Sequence, residues 1–312
     1  MTALPRLIVI LGPTASGKSA LGIALAEKLG GEILVCDSTQ VYRHFDIGTA
    51  KVPLGEQRGI PHHLVDLVEP PEVFTAGQYR ECALRVLEDL RRRNKPPIIT
   101  AGTGLYLRAL LEGLADAPTR SEELRERLRE KAEKRGPASL HRLLERVDPE
   151  AAQRIAPRDT QKVIRAIEIR TLTGKTVGDV HRSGRAPLQG YEIHKIGLAP
   201  PREELYARID ARLESMFAAG WSDEVRNLIQ QGAPPDAKPF QFIGYSEIRR
   251  QIEAGRPPQE IVPAIQQATR RFAKRQMTWF RKESGVRWLD MFGDDPRALL
   301  QALDQQLPDS SF

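Results

Sequence analysis

Residues 6–19 read RLIVILGPTASGKS. An apolar run of strand length, Arg6 to Leu11, stops at a glycine, and Gly12 to Ser19 fit G-x-x-x-x-G-K-[ST]. An apolar-periodic stretch from Ala20 to Leu29 follows, so the order is strand, glycine-rich loop, helix. That order makes an anion site. The backbone of Gly12, Pro13, Thr14, Ala15, Ser16 and Gly17 curls so that successive N–H groups point at phosphate oxygens. The helix adds its positive end, Lys18 a full charge, and Ser19 a hydroxyl placed to ligate Mg²⁺. Such a loop holds a di- or triphosphate. It does not say what is done to it.

Outward from this loop, the pattern repeats. EILVC (Glu32 to Cys36) reads as a second buried strand, HHLVDLV (His62 to Val68) as a weaker third, and KPPIITAGTG (Lys95 to Gly104) as a fourth ending in a glycine turn. Amphipathic helices fall between them, in TAGQYRECALRVLEDLRRR and LYLRALLEGL. Strands that are apolar throughout and alternate with helices predict a parallel sheet covered on both faces. From about Ala115 the strands cease, and four helical patterns with cap signals follow one another. EIHKIGLA (Glu192 to Ala199) restores a strand, and charged amphipathic helices run to the end. The expected organisation is an α/β P-loop core over residues 1–115, a helical insertion over 116–189, and a second core part over 190–312, its tail after Phe292 peripheral.

Composition narrows the class without naming a function. The chain has 312 residues, 40% hydrophobic and 28% charged, the profile of an ordinary soluble globular protein. No apolar run reaches the roughly 20 residues that span a bilayer, and no cleavage site follows the first strand. Cys36 and Cys82 make no metal-ligand spacing and read as reduced thiols of a cytoplasmic protein. The net charge of +6 is compatible with an anionic partner and does not require one.

Beyond the second strand comes DSTQVY (Asp37 to Tyr42). In an open α/β sheet ligands bind past the carboxyl ends of the strands, so Asp37 belongs to the same edge as Gly12 to Ser19. It reads as a helix N-cap, a Mg²⁺ ligand, or a general base facing the phosphate site. No later apolar run ends in an aspartate suited to a Walker B, and no arginine pair resembles a kinase lid. Arg91, Arg92 and Arg93 look like a solvated helix end.

With these residues in view, the chain resembles the tRNA dimethylallyltransferases (tRNA isopentenyltransferases) of bacterial type. GPTASGKS, DSTQVY, DIGTAK, PHHLVD, AGTGLY, LEGL, GWSDEVRNL, IGY and AKRQMTWFR occur in that family's order between about Leu7 and Trp288. Ala101 stands where the family has the first glycine of GGTGLY. The resemblance implies transfer of the dimethylallyl group of dimethylallyl diphosphate to N6 of adenosine 37, beside the tRNA anticodon, by a monomer. Diphosphate is then the leaving group, cradled by the loop, Lys18 and Mg²⁺ held by Ser19 and Asp37, with Arg226 as a second clamp. The adenine amine must shed a proton as the C–N bond forms, and Asp37 is the natural acceptor. Thr103, Ser38, Thr39 and Gln40 are expected to hold the base.

An adenine stacked in the anticodon loop must be extruded to react. In ATRRFAKRQMTWFRK, at 100° per residue, Arg270, Arg281 and Lys274 fall within about 40° of one another. Arg271, Arg275 and Lys282 fall beside them, while Ala268, Phe272, Trp279 and Phe280 form an apolar back, Phe272 and Trp279 being expected in the core. Lys274, Arg275, Gln276 and Arg281 are the expected RNA contacts of this helix. Gln241, Phe242, Ile243, Gly244, Tyr245 and Ser246 resemble the family's anticodon-reading loop, and Arg125, Gln161, Lys162 and Arg165 are candidates in the insertion. The core by itself would also suit a P-loop kinase of a small metabolite. A non-enzymatic RNA-binding module is disfavoured by the intact Lys18, Ser19 and Asp37.

Overall fold

In the computed structural model, which describes residues 4–115, 118, 120–182, 186–295 and 298–299, parallel strands form a sheet in the order β3-β2-β4-β1-β5-β6. These are β1 (Arg6–Leu11), β2 (Glu32–Cys36), β3 (His62–His63), β4 (Pro97–Ala101), β5 (Glu192–Leu198) and β6 (Val286–Leu289). Helices α1 (Lys18–Leu29), α2 (Ala76–Arg92) and α3 (Gly104–Glu112) follow β1, β3 and β4. β1, β2 and β4 are buried almost end to end, as strands covered on both faces must be. Their side chains form one cluster with Leu21, Ile23 and Leu25 of α1. α2 begins at a capping box in which Thr75 accepts from Gln78 N and the Gln78 side chain accepts from Thr75 N.

The chain divides into two compact units, Met1–Leu110 with Gln189–Phe312, and Leu111–Leu188. The second unit starts a few residues before the change in sequence pattern near 116. It holds α4 (Glu122–Arg135), α5 (Pro137–Val147), α6 (Pro149–Arg154), α7 (Thr160–Thr173) and α8 (Val177–Arg182). Ser121, Asp148 and Asp159 cap α4, α6 and α7 by accepting first-turn N–H groups. Leu128, Leu140, Leu144, Val163 and Ile167 make its core. The first unit resumes with β5, then α9 (Arg202–Ala218), α10 (Trp221–Gln230), α11 (Tyr245–Glu253) and α12 (Val262–Phe280).

Three local expectations are corrected. The third strand is only His62–His63, because Leu64 and Asp66 take positive φ and end the extended run. The segment after α12 contains β6, whose VRWL is too short and mixed to register as a strand. Arg93 is no solvated end: it pairs with Asp89 and the buried Glu32, and its hydrogen bond, more than that of His63, holds Glu32 down at about 2. Most of the segment after Phe292 lies outside the described residues.

Candidate active site

β2, β4 and β1 are neighbours in the sheet, so their carboxyl ends present Asp37, Gly102–Thr103 and Gly12–Ser19 side by side. The glycine loop is held tightly. Gly17 caps α1 at φ +88, and a Cβ there would stand 2.6 Å from the backbone of Gly293, so only glycine fits. Lys18 Nζ donates to Pro13 O at 2.7 Å. Burial lowers the Lys18 ammonium to about 8, opposed by the charge of Asp37 and assisted by that of Arg212.

Asp37 is oriented through one oxygen. Oδ1 accepts from Thr39 N at 2.8 Å and Thr39 Oγ1 at 2.7 Å, while Oδ2 faces Gly102, where a Cβ would approach it to 2.4 Å. Thr103 ties the two turns together: its N–H and that of Gly102 donate to Cys36 O, and its Oγ1 accepts from Ser38 N at 2.9 Å. Gln40 Nε2 donates to Thr49 O and Ala50 O, bracing the DIGTAK loop. On the loop's other side, Glu224 accepts from Asp46 N and Ile47 N. Ser38, Thr39 and Gln40 therefore build the turn that aims Asp37. Burial pushes the Cys36 thiol up to about 12, so it stays protonated and unreactive beside the carboxylate. Ala101 ends β4, paired with Leu11 and Cys36 and without a positive φ, which is why a methyl is accommodated there.

All of this opens on a cavity of about 880 Å³ within the first unit. Thr14, Ala15, Gly17, Lys18, Ser19, Asp37, Ser38, Thr39, Gln40 and Thr103 line it. Arg226, expected as a second clamp, does not. It is half-exposed on α10 and pairs with Asp223, one turn away. Arg212 of α9 lines the cavity instead, its charge disfavoured by burial and by Arg208, and favoured by Asp37. Arg208 also lines it and pairs with Asp294. The signal was present in ARIDARL: two arginines spaced i, i+4 share one helix face.

The opposite wall comes from α12 and the 238–243 segment. Lys238, Gln241, Phe242 and Ile243 line the cavity, with Phe242 edge-on to Tyr42 at 5.7 Å. Gly244 and Tyr245 are internal and not available to a partner: the Tyr245 hydroxyl donates to Glu224 and accepts from Gly48 N. Ser246 Oγ donates to Glu247. On α12 the buried stripe is Ile265, Ala273, Gln276 and Phe280. Arg271, Lys274 and Arg275, with Arg281 and Lys282 just beyond, are exposed and have no carboxylate partner among the described residues. Arg270 leaves that face to pair with Asp210 of α9 at 2.6 Å. Phe272 and Trp279 are not core. Phe272 lines the cavity, and Trp279 is 37% exposed, packed on Gly104 with the Arg108 guanidinium 4.8 Å from its ring centre. Gln276, expected as an RNA contact, is instead buried at the cavity wall with both ends of its amide bonded within the chain.

In the helical unit, Arg125 and Arg165 both pair with the fully buried Glu168, at 2.7 and 2.6 Å. Burial alone would raise that carboxyl; the two guanidiniums together outweigh it and hold it at about 2. Lys162 pairs with Asp159, and Gln161 is exposed. Two of the four candidates, both partly exposed, thus brace this unit through Glu168.

Fold and cavity together define a P-loop α/β protein that sets a glycine-rich loop across one cavity from an aimed carboxylate. The IPP transferase family model matches residues 40–283, and an isopentenyl transferase model matches residues 5–66. A tRNA dimethylallyltransferase of Solibacter usitatus is 48% identical over 299 residues, covering 96% of this chain and 97% of that protein. One of Koribacter versatilis is 48% identical over 303 residues, covering 96% and 97%. Among solved structures, a tRNA isopentenylpyrophosphate transferase of Bacillus halodurans superposes with TM-score 0.70 at 34% identity, covering 97% of each chain. A eukaryotic dimethylallyltransferase acting on tRNA gives TM-score 0.82 at 28% identity, covering 98% of this chain and 80% of that one. The chain belongs to the IPP transferase family.

Proposed function

We propose that this protein transfers the dimethylallyl group of dimethylallyl diphosphate to N6 of adenosine 37 in tRNA, releasing diphosphate. The observation that carries the reading is the shared cavity: Lys18, Ser19 and Asp37 face one space. The loop amides, Lys18 and Arg212 stabilise the charge that develops on the departing diphosphate, the main electrostatic task of the reaction. Leu213, Met216, Phe242 and Phe272 add an apolar wall suited to the prenyl chain. Asp37 Oδ2 accepts the proton from N6 as the C–N bond forms and the C–O bond to diphosphate breaks, while Thr39 and the Thr103–Ser38 contact keep it aimed. A kinase would need neither the apolar wall nor a basic surface helix.

The donor set suits Mg²⁺. Among the described residues no group of three or more His, Cys, Asp or Glu could cage a metal, whereas Ser19 and Asp37 share the cavity with the diphosphate cradle. Mg²⁺ characteristically takes one or two protein oxygens and completes its shell with phosphate oxygens and water. Bound by Ser19 and Asp37, it would supply further charge neutralisation to the leaving group.

Arg271, Lys274, Arg275, Arg281 and Lys282 form the surface on which we place the RNA backbone, with the adenine extruded toward Asp37. No described helix is long and apolar enough to cross a membrane. A cytoplasmic monomer completes this reading, with Cys36 and Cys82 as free thiols. Lys274→Ala with Arg281→Ala is expected to weaken tRNA binding and reduce its salt slope by about 1 to 2. An unchanged slope would remove this helix from the interface. The test of the activity is mass analysis of tRNA nucleosides after incubation with donor and Mg²⁺. Added dimethylallyl mass on adenosine is expected; unmodified RNA with consumption of ATP would favour the kinase.

A further inference from the structure

Gln276 belongs to the face of α12 turned away from solvent and is only 6% exposed. A buried primary amide is costly unless both its ends are bonded. Here Oε1 accepts from Thr14 N at 2.8 Å, and Nε2 donates to Gly102 O at 2.8 Å. Thr14 lies in the glycine loop that follows β1. Gly102 lies in the turn that follows β4, the strand between β1 and β2, against Asp37 Oδ2 and immediately before Thr103. One side chain therefore straddles the donor cradle and the turn that aims the base. Its neighbours on the helix, Lys274 and Arg275, are on the exposed cationic side.

We propose that Gln276 is a positioning residue: its bridge sets the separation between the diphosphate loop and the Asp37–Thr103 turn, and ties both to the RNA-facing helix. This deepens the prenyl-transfer reading and rests on it. The role requires an amide. A leucine leaves the Thr14 N–H and the Gly102 carbonyl unpaired, and a glutamate replaces the donor that Gly102 O needs with a second acceptor. Either change loosens the spacing without removing a group that touches a reacting atom, and misplacement of reacting groups is strongly felt in rate.

The test uses the full chain carrying Gln276→Leu or Gln276→Glu. Inorganic pyrophosphate and tRNA affinities are measured by titration, and transfer by single turnover at saturating donor. Both variants are expected to weaken pyrophosphate binding and slow the single turnover, each by about tenfold, with tRNA affinity within about twofold of the original. Gln276 acts through the turn carrying Thr103, so Gln276→Leu combined with Thr103→Val is expected to cost less than the product of the single losses. Weakened tRNA binding with unchanged pyrophosphate affinity, or strictly multiplicative losses, would overturn the proposal. Should the leucine variant not fold, the glutamate variant, equal in volume to the original side chain, decides the matter on the same readouts. Because pyrophosphate binding needs no turnover, a failure of the prenyl-transfer reading would show as an inactive original protein whose pyrophosphate affinity still depends on Gln276.

Discussion

Asp37→Asn is expected to slow single-turnover prenyl transfer by about a thousandfold or more, while tRNA affinity stays within about threefold. The size follows from the proton. Adenine N6 is weakly nucleophilic because its lone pair is delocalised into the ring, and a positioned base contributes about a hundred- to ten-thousandfold. Asparagine keeps the shape and can still meet Thr39, but it cannot take the proton through the oxygen that faces Gly102. Quench-flow with labelled donor and filter binding of tRNA separate the two quantities. Recovery of the variant by excess Mg²⁺ would trace the loss to weakened cation binding rather than to the proton, and a collapse of tRNA binding with normal chemistry would make Asp37 an RNA contact.

The second large effect is expected at the diphosphate clamp. Arg212→Ala should lower kcat/KM for the donor by about a hundred- to thousandfold, since a buried cation facing a leaving group acts most strongly as charge develops. Arg226→Ala should leave it nearly unchanged, because that side chain pairs with Asp223 outside the cavity. Lys18 adds a pH signature. Burial lowers its ammonium to about 8 in the ligand-free protein, so the charge is complete below that pH and lost above it. Donor affinity is therefore expected to be flat below about pH 7 and to fall above pH 8 by up to about tenfold per unit, with proton uptake on binding. Calorimetry in buffers of different ionisation enthalpy measures the uptake, and Lys18→Met should abolish both the slope and the proton. A slope that persists in Lys18→Met would assign it to another group. The same depression makes the ligand-free protein gain stability as pH rises from about 8 toward 10.5, where the unfolded chain still binds the proton that the folded one has released.

Much of this site could be read in advance because its chemistry is written in contiguous residues. A glycine loop between strand and helix is a local geometry, so the conformation of Gly12 to Ser19 is legible in their spacing. Asp37 could be placed because the end of a parallel strand is a topological position as well as a sequential one. Residues on amphipathic helices were harder. Helical periodicity separates two faces but does not say which side of a face meets a neighbour, so it does not show that Arg270 pairs with Asp210, that Trp279 is part-exposed or that Gln276 is buried. The pairing of the candidates Arg125 and Arg165 is not legible in sequence, because nothing in a helix pattern marks Glu168 as buried.

The sequence by itself determined the class of fold, the glycine loop, the place of Asp37 at the same sheet edge and the kinship, since each rests on backbone conformation or on residues adjacent in the chain. Only the tertiary structure decided that Arg212 rather than Arg226 faces the cradle, and that Gln276 bridges two loops far from it in sequence. Those outcomes depend on which side chains are desolvated together, a property of packing between distant segments that no local spacing encodes.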